Sequence, residues 1–177
     1  MVPNFAPMKK TTLYLVRHGE TVDNARQIMQ GQTQGALNEH GRQQAIQLRE
    51  QLAAESIDAF VASDLKRAVD TAAIIAESHG LPVATTPLLR ERDWGGFTGR
   101  YIPDLKEAVW PDDIESLEAL MARARSFIDY VCRHYPGQRV LAVGHGIINK
   151  AIQAVYYGKP MNQIARMGNA EVRILEL

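Results

Sequence analysis

Short apolar runs of β-prone residues alternate along this chain with amphipathic helical stretches, and that alternation leaves few folds open. The run "TLYLV" leads to an amphipathic segment from about Gly41 to Ala54. "IDAFVAS" leads to "LKRAVDTAAIIAESHG", in which Ala68, Thr71, Ala72, Ile75 and Ala76 recur at helical spacing and Gly80 with Pro82 supplies a stop. A short "PVATT" run follows, then the irregular "LLRERDWGGFTGRY", a helix from about Ile114 to His134, and the turn "PGQ" before "RVLAVGHG". A helix from about Ile147 to Tyr156 and the period-two run "AEVRILEL" close the pattern, the latter reading as a strand with one wet face. The rhythm predicts an α/β fold: a three-layer αβα sandwich around a mostly parallel sheet.

The composition sets bounds on partners and compartment. With 177 residues, 46% of them hydrophobic, one well-buried domain is expected over 11–177, preceded by a loose tail at 1–10. Lys+Arg and Asp+Glu are equal at 20 each, so the overall charge offers no surface for nucleic acid or an acidic membrane, and any concentration of arginine is local. "MVPNFAPMKK" lacks a signal-like apolar core, and no later run approaches a membrane span, so a cytoplasmic location is expected. Met8 stands beside Met1 as an alternative start. The single cysteine, Cys132, has no disulfide partner and sits in an apolar helical pattern, which predicts a small buried hydrophobe.

In parallel sheets ligands bind beyond the carboxyl ends of the strands. Arg17 and His18 follow the first predicted strand, Ser63 the second, and His145 follows "VLAVG". Three strand ends therefore bring polar side chains to one edge. Ser63 lacks a G-x-S-x-G elbow, so it and Asp64 read as helix caps rather than nucleophiles. His40, His79 and His134 fall at helix ends without metal-ligand spacing, so neither a metal nor a cofactor is expected.

These residues carry a resemblance. "LVRHGETVDN", "SDLKRAVDTA", "LRERDWGGFTG" and "VGHG", in that order, resemble the signature blocks of the histidine phosphatase superfamily, the phosphoglycerate mutase-like fold, over nearly the whole chain. The resemblance implies a short helical lid at about 97–125 and a phosphohistidine route on a small phosphomonoester. Its nucleophile is His18, with the other ring nitrogen held by a backbone carbonyl. Arg17 and Arg67 cradle the phosphoryl oxygens, which planar guanidinium groups suit. His145 donates to a nonbridging oxygen, and Glu91 exchanges the proton with leaving group and water. Thr21, Asn24 and the Gly146 amide are further phosphate contacts, and inorganic phosphate or vanadate is expected to compete. Gly19 is read as letting the backbone pass close to ligand or histidine. Glu115, Ser116 and Arg123 resemble a stretch that packs beside the site.

The chain also departs from the family's wording. Gln34 and Ala36 stand where phosphatases carry Asp and Pro, which predicts a softer loop, and "ERDWGGFTG" is closer to the mutases. A phosphoglycerate mutase is thus the alternative reading. Only fifty-four positions separate Glu91 from His145, however, where the mutases insert a long segment with a lysine and paired arginines. Asp112, Asp113 and Glu115 make the lid acidic, which disfavours highly anionic bisphosphates. A second alternative, a non-catalytic module reading phosphorylated ligands, has no use for both a nucleophile and a proton donor. Trp94 and Trp110 read equally as core anchors or substrate platforms.

Overall fold

The computed structural model describes residues 10–177. The start sites Met1 and Met8, and the expected tail save Lys10, lie outside them. The elements run β1 (Thr12–Arg17), α1 (Val22–Ala25), α2 (Glu39–Leu52), β2 (Ala59–Ser63), α3 (Lys66–Ala76), β3 (Val83–Thr86), α4 (Leu117–His134), β4 (Arg139–Gly144), α5 (Gly146–Tyr157) and β5 (Val172–Glu176). The sheet order is β3-β2-β4-β1-β5. Four strands are parallel, and β5 runs antiparallel along β1.

The period-two alternation of the central strands divides the core between the two faces. Leu13 and Leu15 of β1, with Val140 and Ala142 of β4, meet Leu120, Phe127 and Ile148 from α4 and α5. Tyr14, Val16, Leu141 and Val143 point the other way, against Leu48 of α2 and Ala68 and Ile75 of α3. The three-layer architecture is therefore the one that the alternation predicted, with β1 and β4 buried on both sides.

Two details differ from expectation. The segment after Phe97 holds only one short 3₁₀ turn, Ile102–Leu105, and residues 117–125 are already the first turns of α4, with Leu120 and Ala124 in the core. Cys132 is exposed. The buried stripe of α4 runs through Leu120, Ala124, Phe127 and Val131, and a helix advances about 100° per residue, so the position after Val131 turns off that stripe.

Candidate active site

The four parallel strands end at Arg17, Ser63, Thr86 and Gly144 on one edge of the sheet, and the polar residues just beyond those ends converge. A cavity of ≈ 240 Å³ lies there, lined by Arg17, His18, Asn24, Arg67 and Glu91. Ile28, Met29, Trp94, Ile102 and Ile147 supply its apolar wall.

The His18 side chain is almost wholly buried, and its Nδ1 lies 2.7 Å from the Gly19 carbonyl oxygen. That oxygen can only accept, so Nδ1 carries the proton and Nε2 keeps its lone pair. Burial is the main cause that pushes its pKa from 6.5 down to about 3, with Arg67 and then Arg17 adding repulsion, so desolvation outweighs the arginines in keeping the ring neutral. His145 follows β4, is fully buried, and meets His18 edge-on with ring centroids 5.0 Å apart. Burial and the same cations hold its pKa well below the ordinary value. It packs against the His18 ring, and both of its ring nitrogens are buried without a hydrogen-bond partner among the described residues.

The depressed titration of His18 has a consequence for stability. Below its ordinary pKa of 6.5 the unfolded chain takes up a proton on His18 that the folded chain refuses until about pH 3, so this contribution is complete above 6.5 and is lost as pH falls toward 3. The thermal midpoint of the wild type should therefore fall between about pH 7.5 and about pH 4.5, and a His18→Asn chain should fall less steeply. Equal slopes would mean that His18 binds protons alike in both states.

Arg67 enters from the first turn of α3 and is almost completely buried. Its Nη2 donates to Gly31 O at 2.8 Å, and its Nη1 donates to Thr33 O and, at 3.3 Å, to Gln34 O. The expectation of a softer loop here is corrected by these bonds: Gln34 also accepts from Lys66 N through its side chain (2.9 Å) and from Arg67 N through its carbonyl (3.2 Å), capping α3. Ser63 therefore does not cap α3; its hydroxyl accepts from Leu65 N, two residues on, while Asp64 pairs with Arg90 through two bonds of 2.7 and 2.6 Å. Burial lowers the pKa of Arg67 to about 10, leaving it charged at neutral pH. Arg17 donates to Met167 O at 2.7 Å, and the Nε of each arginine has no protein partner among the described residues.

Glu91, beyond β3 and the 3₁₀ turn Pro87–Leu89, makes neither of the ion pairs its neighbours offer. Its carboxylate accepts from Ile147 N and Ile148 N, both at 3.1 Å, at the amino end of α5, and from Arg92 N at 2.8 Å. The loop that carries it is clamped by Arg123, which donates to Leu88 O at 3.1 Å and Glu91 O at 3.3 Å while pairing with Glu115 at 2.7 Å. Glu115 in turn accepts from Asp93 N at 3.1 Å, so the stretch expected to pack beside the site fixes its carboxylate-bearing loop. Trp94 lines the cavity, whereas Trp110 packs edge-on against it at 5.7 Å as an anchor.

Asn24 faces the cavity; its Oδ1 accepts from Thr21 N (3.2 Å) and Asn169 Nδ2 (3.3 Å), which leaves its amide group to donate inward. Thr21 lies off the cavity wall: its hydroxyl accepts from Asn24 N (2.9 Å), capping α1, and donates to Gln30 Oε1 (3.0 Å). Gly146 sits between charges, where an added Cβ would stand 3.6 Å from Arg17 and 3.7 Å from Glu91. The reading of Gly19 is corrected: a Cβ there would collide with the Gly41 backbone, so the missing side chain admits the first turn of α2 rather than a ligand. Sequence reading passed over Lys150 and Arg166, which also line the cavity. A lone lysine inside the apolar helix "GIINKAIQAVYY" was the available signal; Arg166 lies in an irregular loop with none.

A family model described as histidine phosphatase superfamily (branch 1) matches residues 13–177. The chain belongs to this superfamily. It is 38% identical to a Bacillus subtilis protein named uncharacterized phosphatase PhoE, covering 90% of this chain and 85% of that one. It is 35% identical to a probable phosphoglycerate mutase GpmB of an Enterobacter species, covering 84% and 75% respectively. Among solved structures, a mycobacterial glucosyl-3-phosphoglycerate phosphatase in complex with VO3 superposes with a TM-score of 0.84 at 31% identity, covering 92% of this chain and 91% of that one. The protein is thus a histidine-type phosphatase by fold and family. No helix among the described residues is long and apolar enough to cross a membrane.

Proposed function

We propose that this histidine phosphatase is a cytoplasmic, metal-independent phosphomonoester hydrolase that works through a phosphohistidine on a small phosphorylated metabolite. The observation that carries the reading is the pairing of a buried, neutral His18, its Nδ1 fixed on Gly19, with two buried guanidinium groups whose Nε atoms have no protein partner. Unpartnered buried donors are costly, and a phosphoryl group supplies the acceptors that offset that cost. In the first half-reaction His18 Nε2 forms a bond to phosphorus, the bond to the leaving oxygen breaks, and Glu91 gives that oxygen a proton. In the second half-reaction Glu91 takes a proton from water, the water oxygen bonds to phosphorus, and the N–P bond breaks. Asn24, Arg17, Arg67 and a His145 N–H stabilise the oxygens in flight.

Among the described residues no three His, Cys, Asp or Glu side chains gather as a metal site. Phosphate release from a panel of monoesters should therefore survive exhaustive chelation, and inorganic phosphate and vanadate should inhibit competitively. Loss of activity restored by one divalent ion would overturn the metal-free route. The relationship to a protein named as a mutase favours phosphoglycerate isomerisation as the second reading. Interconversion of phosphoglycerate isomers outpacing phosphate release would establish it over hydrolysis.

A further inference from the structure

The acceptor that orients the nucleophile sits on a residue poorly able to hold itself. Gly19 O accepts from His18 Nδ1 at 2.7 Å, and a glycine has no side chain to restrict its two backbone dihedrals. Gly19 is nevertheless bound on every side. His18 N donates to Gly144 O at 3.1 Å, and His18 O accepts from Asn169 Nδ2 at 3.0 Å and Ala170 N at 3.2 Å. Gly19 N donates to the Thr71 hydroxyl at 3.1 Å, and Glu20 N donates to Gln44 Oε1 at 2.8 Å. Every backbone polar group from His18 N to Glu20 N thus has a partner, and Thr71 and Gln44 supply two of them from side chains that lie off the cavity wall.

Those two side chains act on the two peptide planes that meet at Gly19. The plane before it carries Gly19 N, so Thr71 fixes that one; the plane after it carries both Gly19 O and Glu20 N, so Gln44 fixes the direction of the oxygen itself. Thr71 is fully buried in α3, where its hydroxyl proton goes to Arg67 O at 2.8 Å and a lone pair is left for Gly19 N. One hydroxyl therefore ties the helix that carries Arg67 to the glycine that aims His18. Gln44 stands half-buried on α2, whose first turn packs against the Gly19 backbone. Were the second plane to rotate, Nδ1 would lose its acceptor and either ring nitrogen could carry the proton. A proton on Nε2 would occupy the lone pair that attacks phosphorus. We propose that Thr71 and Gln44 are positioning residues for the nucleophile, holding Gly19 O so that His18 keeps its proton on Nδ1 and Nε2 free.

This proposal rests on the phosphohistidine reading, and two measurements keep the two apart. Imidazole nitrogen NMR reads the tautomer without substrate, the His18 signals being assigned by their loss in His18→Asn. Rapid quench with p-nitrophenyl phosphate reads the rate of phosphoenzyme formation. Thr71→Val keeps the shape and removes the hydroxyl; Gln44→Met, at a half-buried position with less risk to folding, removes the acceptor oxygen. In each variant His18 should pass from one tautomer to a mixture, and phosphoenzyme formation should slow by roughly 10–100-fold. Affinity for inorganic phosphate should stay near the wild-type value, because the Arg67 guanidinium is held by the Gly31, Thr33 and Gln34 carbonyls and not by Thr71. Thr71→Ser restores the hydroxyl and should recover both the tautomer and most of the rate. A single Nδ1–H tautomer in both variants overturns the proposal whatever the rate does. A fall in rate matched by the same fall in phosphate affinity, as a loosened fold would give, overturns it too. A wild type that forms no phosphoenzyme overturns the covalent reading, and the tautomers then decide for or against Thr71 and Gln44 by themselves.

Discussion

A His18→Ala chain is expected to release no measurable phosphate and to take up no phosphoryl label, a loss on the order of 10⁴–10⁶-fold in turnover. The residue's surroundings make the loss specific to chemistry. Its Nδ1 is tied to Gly19 O at 2.7 Å, so the ring is already oriented, and burial, which lowers its pKa to about 3, keeps it unprotonated at neutral pH. Arg17, Arg67 and Asn24 remain in the variant, each held by contacts that do not involve the imidazole, so affinity for inorganic phosphate should persist while turnover vanishes. Rapid quench with a radiolabelled substrate reads the difference directly. Acid-labile label in the alanine chain at the wild-type level would remove His18 from the covalent step.

For Glu91→Gln, the expected result depends on the leaving group. An alkyl phosphate departs as a strongly basic alkoxide and needs a proton during bond breaking, whereas p-nitrophenolate leaves with little help. The amide keeps the shape and one acceptor oxygen for the Ile147 and Ile148 amides, but it has no proton to transfer. The rate of phosphoenzyme formation should therefore fall by roughly 10²–10⁴-fold for alkyl phosphates and far less for p-nitrophenyl phosphate. The first step has to be followed by itself, because on the proposed mechanism Glu91 also serves the attack of water, so its replacement slows steady-state turnover of every substrate. Equal losses for both classes in a folded chain would transfer the acid's role to another carboxylate, with Asp93 the next to test.

The layer architecture was legible because it depends on side-chain period, and period survives in a single sequence. The expected helices at 41–54 and 147–156 stand at Glu39–Leu52 and Gly146–Tyr157, shifted only at their ends. The residues just past the strand ends were legible for a related reason: Arg17, His18 and His145 interrupt apolar runs where nothing in the packing calls for them. What escaped notice depends on three-dimensional accidents of direction. Cys132 shares the composition of a buried stripe but not its face. Asp113 and Glu115 are acids in a lid, yet a backbone amide and Arg123 turn them away from the cavity. Arg166 reaches the cavity only because the chain returns past β1 before entering β5, a path with no local sequence signal.

That return path couples residues far apart along the chain. Arg17 is oriented by Met167 O, and the His18 carbonyl by Asn169 Nδ2 at 3.0 Å, contacts that span 150 and 151 positions of chain. During synthesis Arg17 and His18 therefore emerge well before the loop at Met167 and Asn169 that holds them. Until that loop is made, the emerging chain carries His18 without the hydrogen bond that Asn169 gives its carbonyl. A chain clipped ahead of Met167 loses both contacts, and β5 with them, so it is expected to release no phosphate in the same assay.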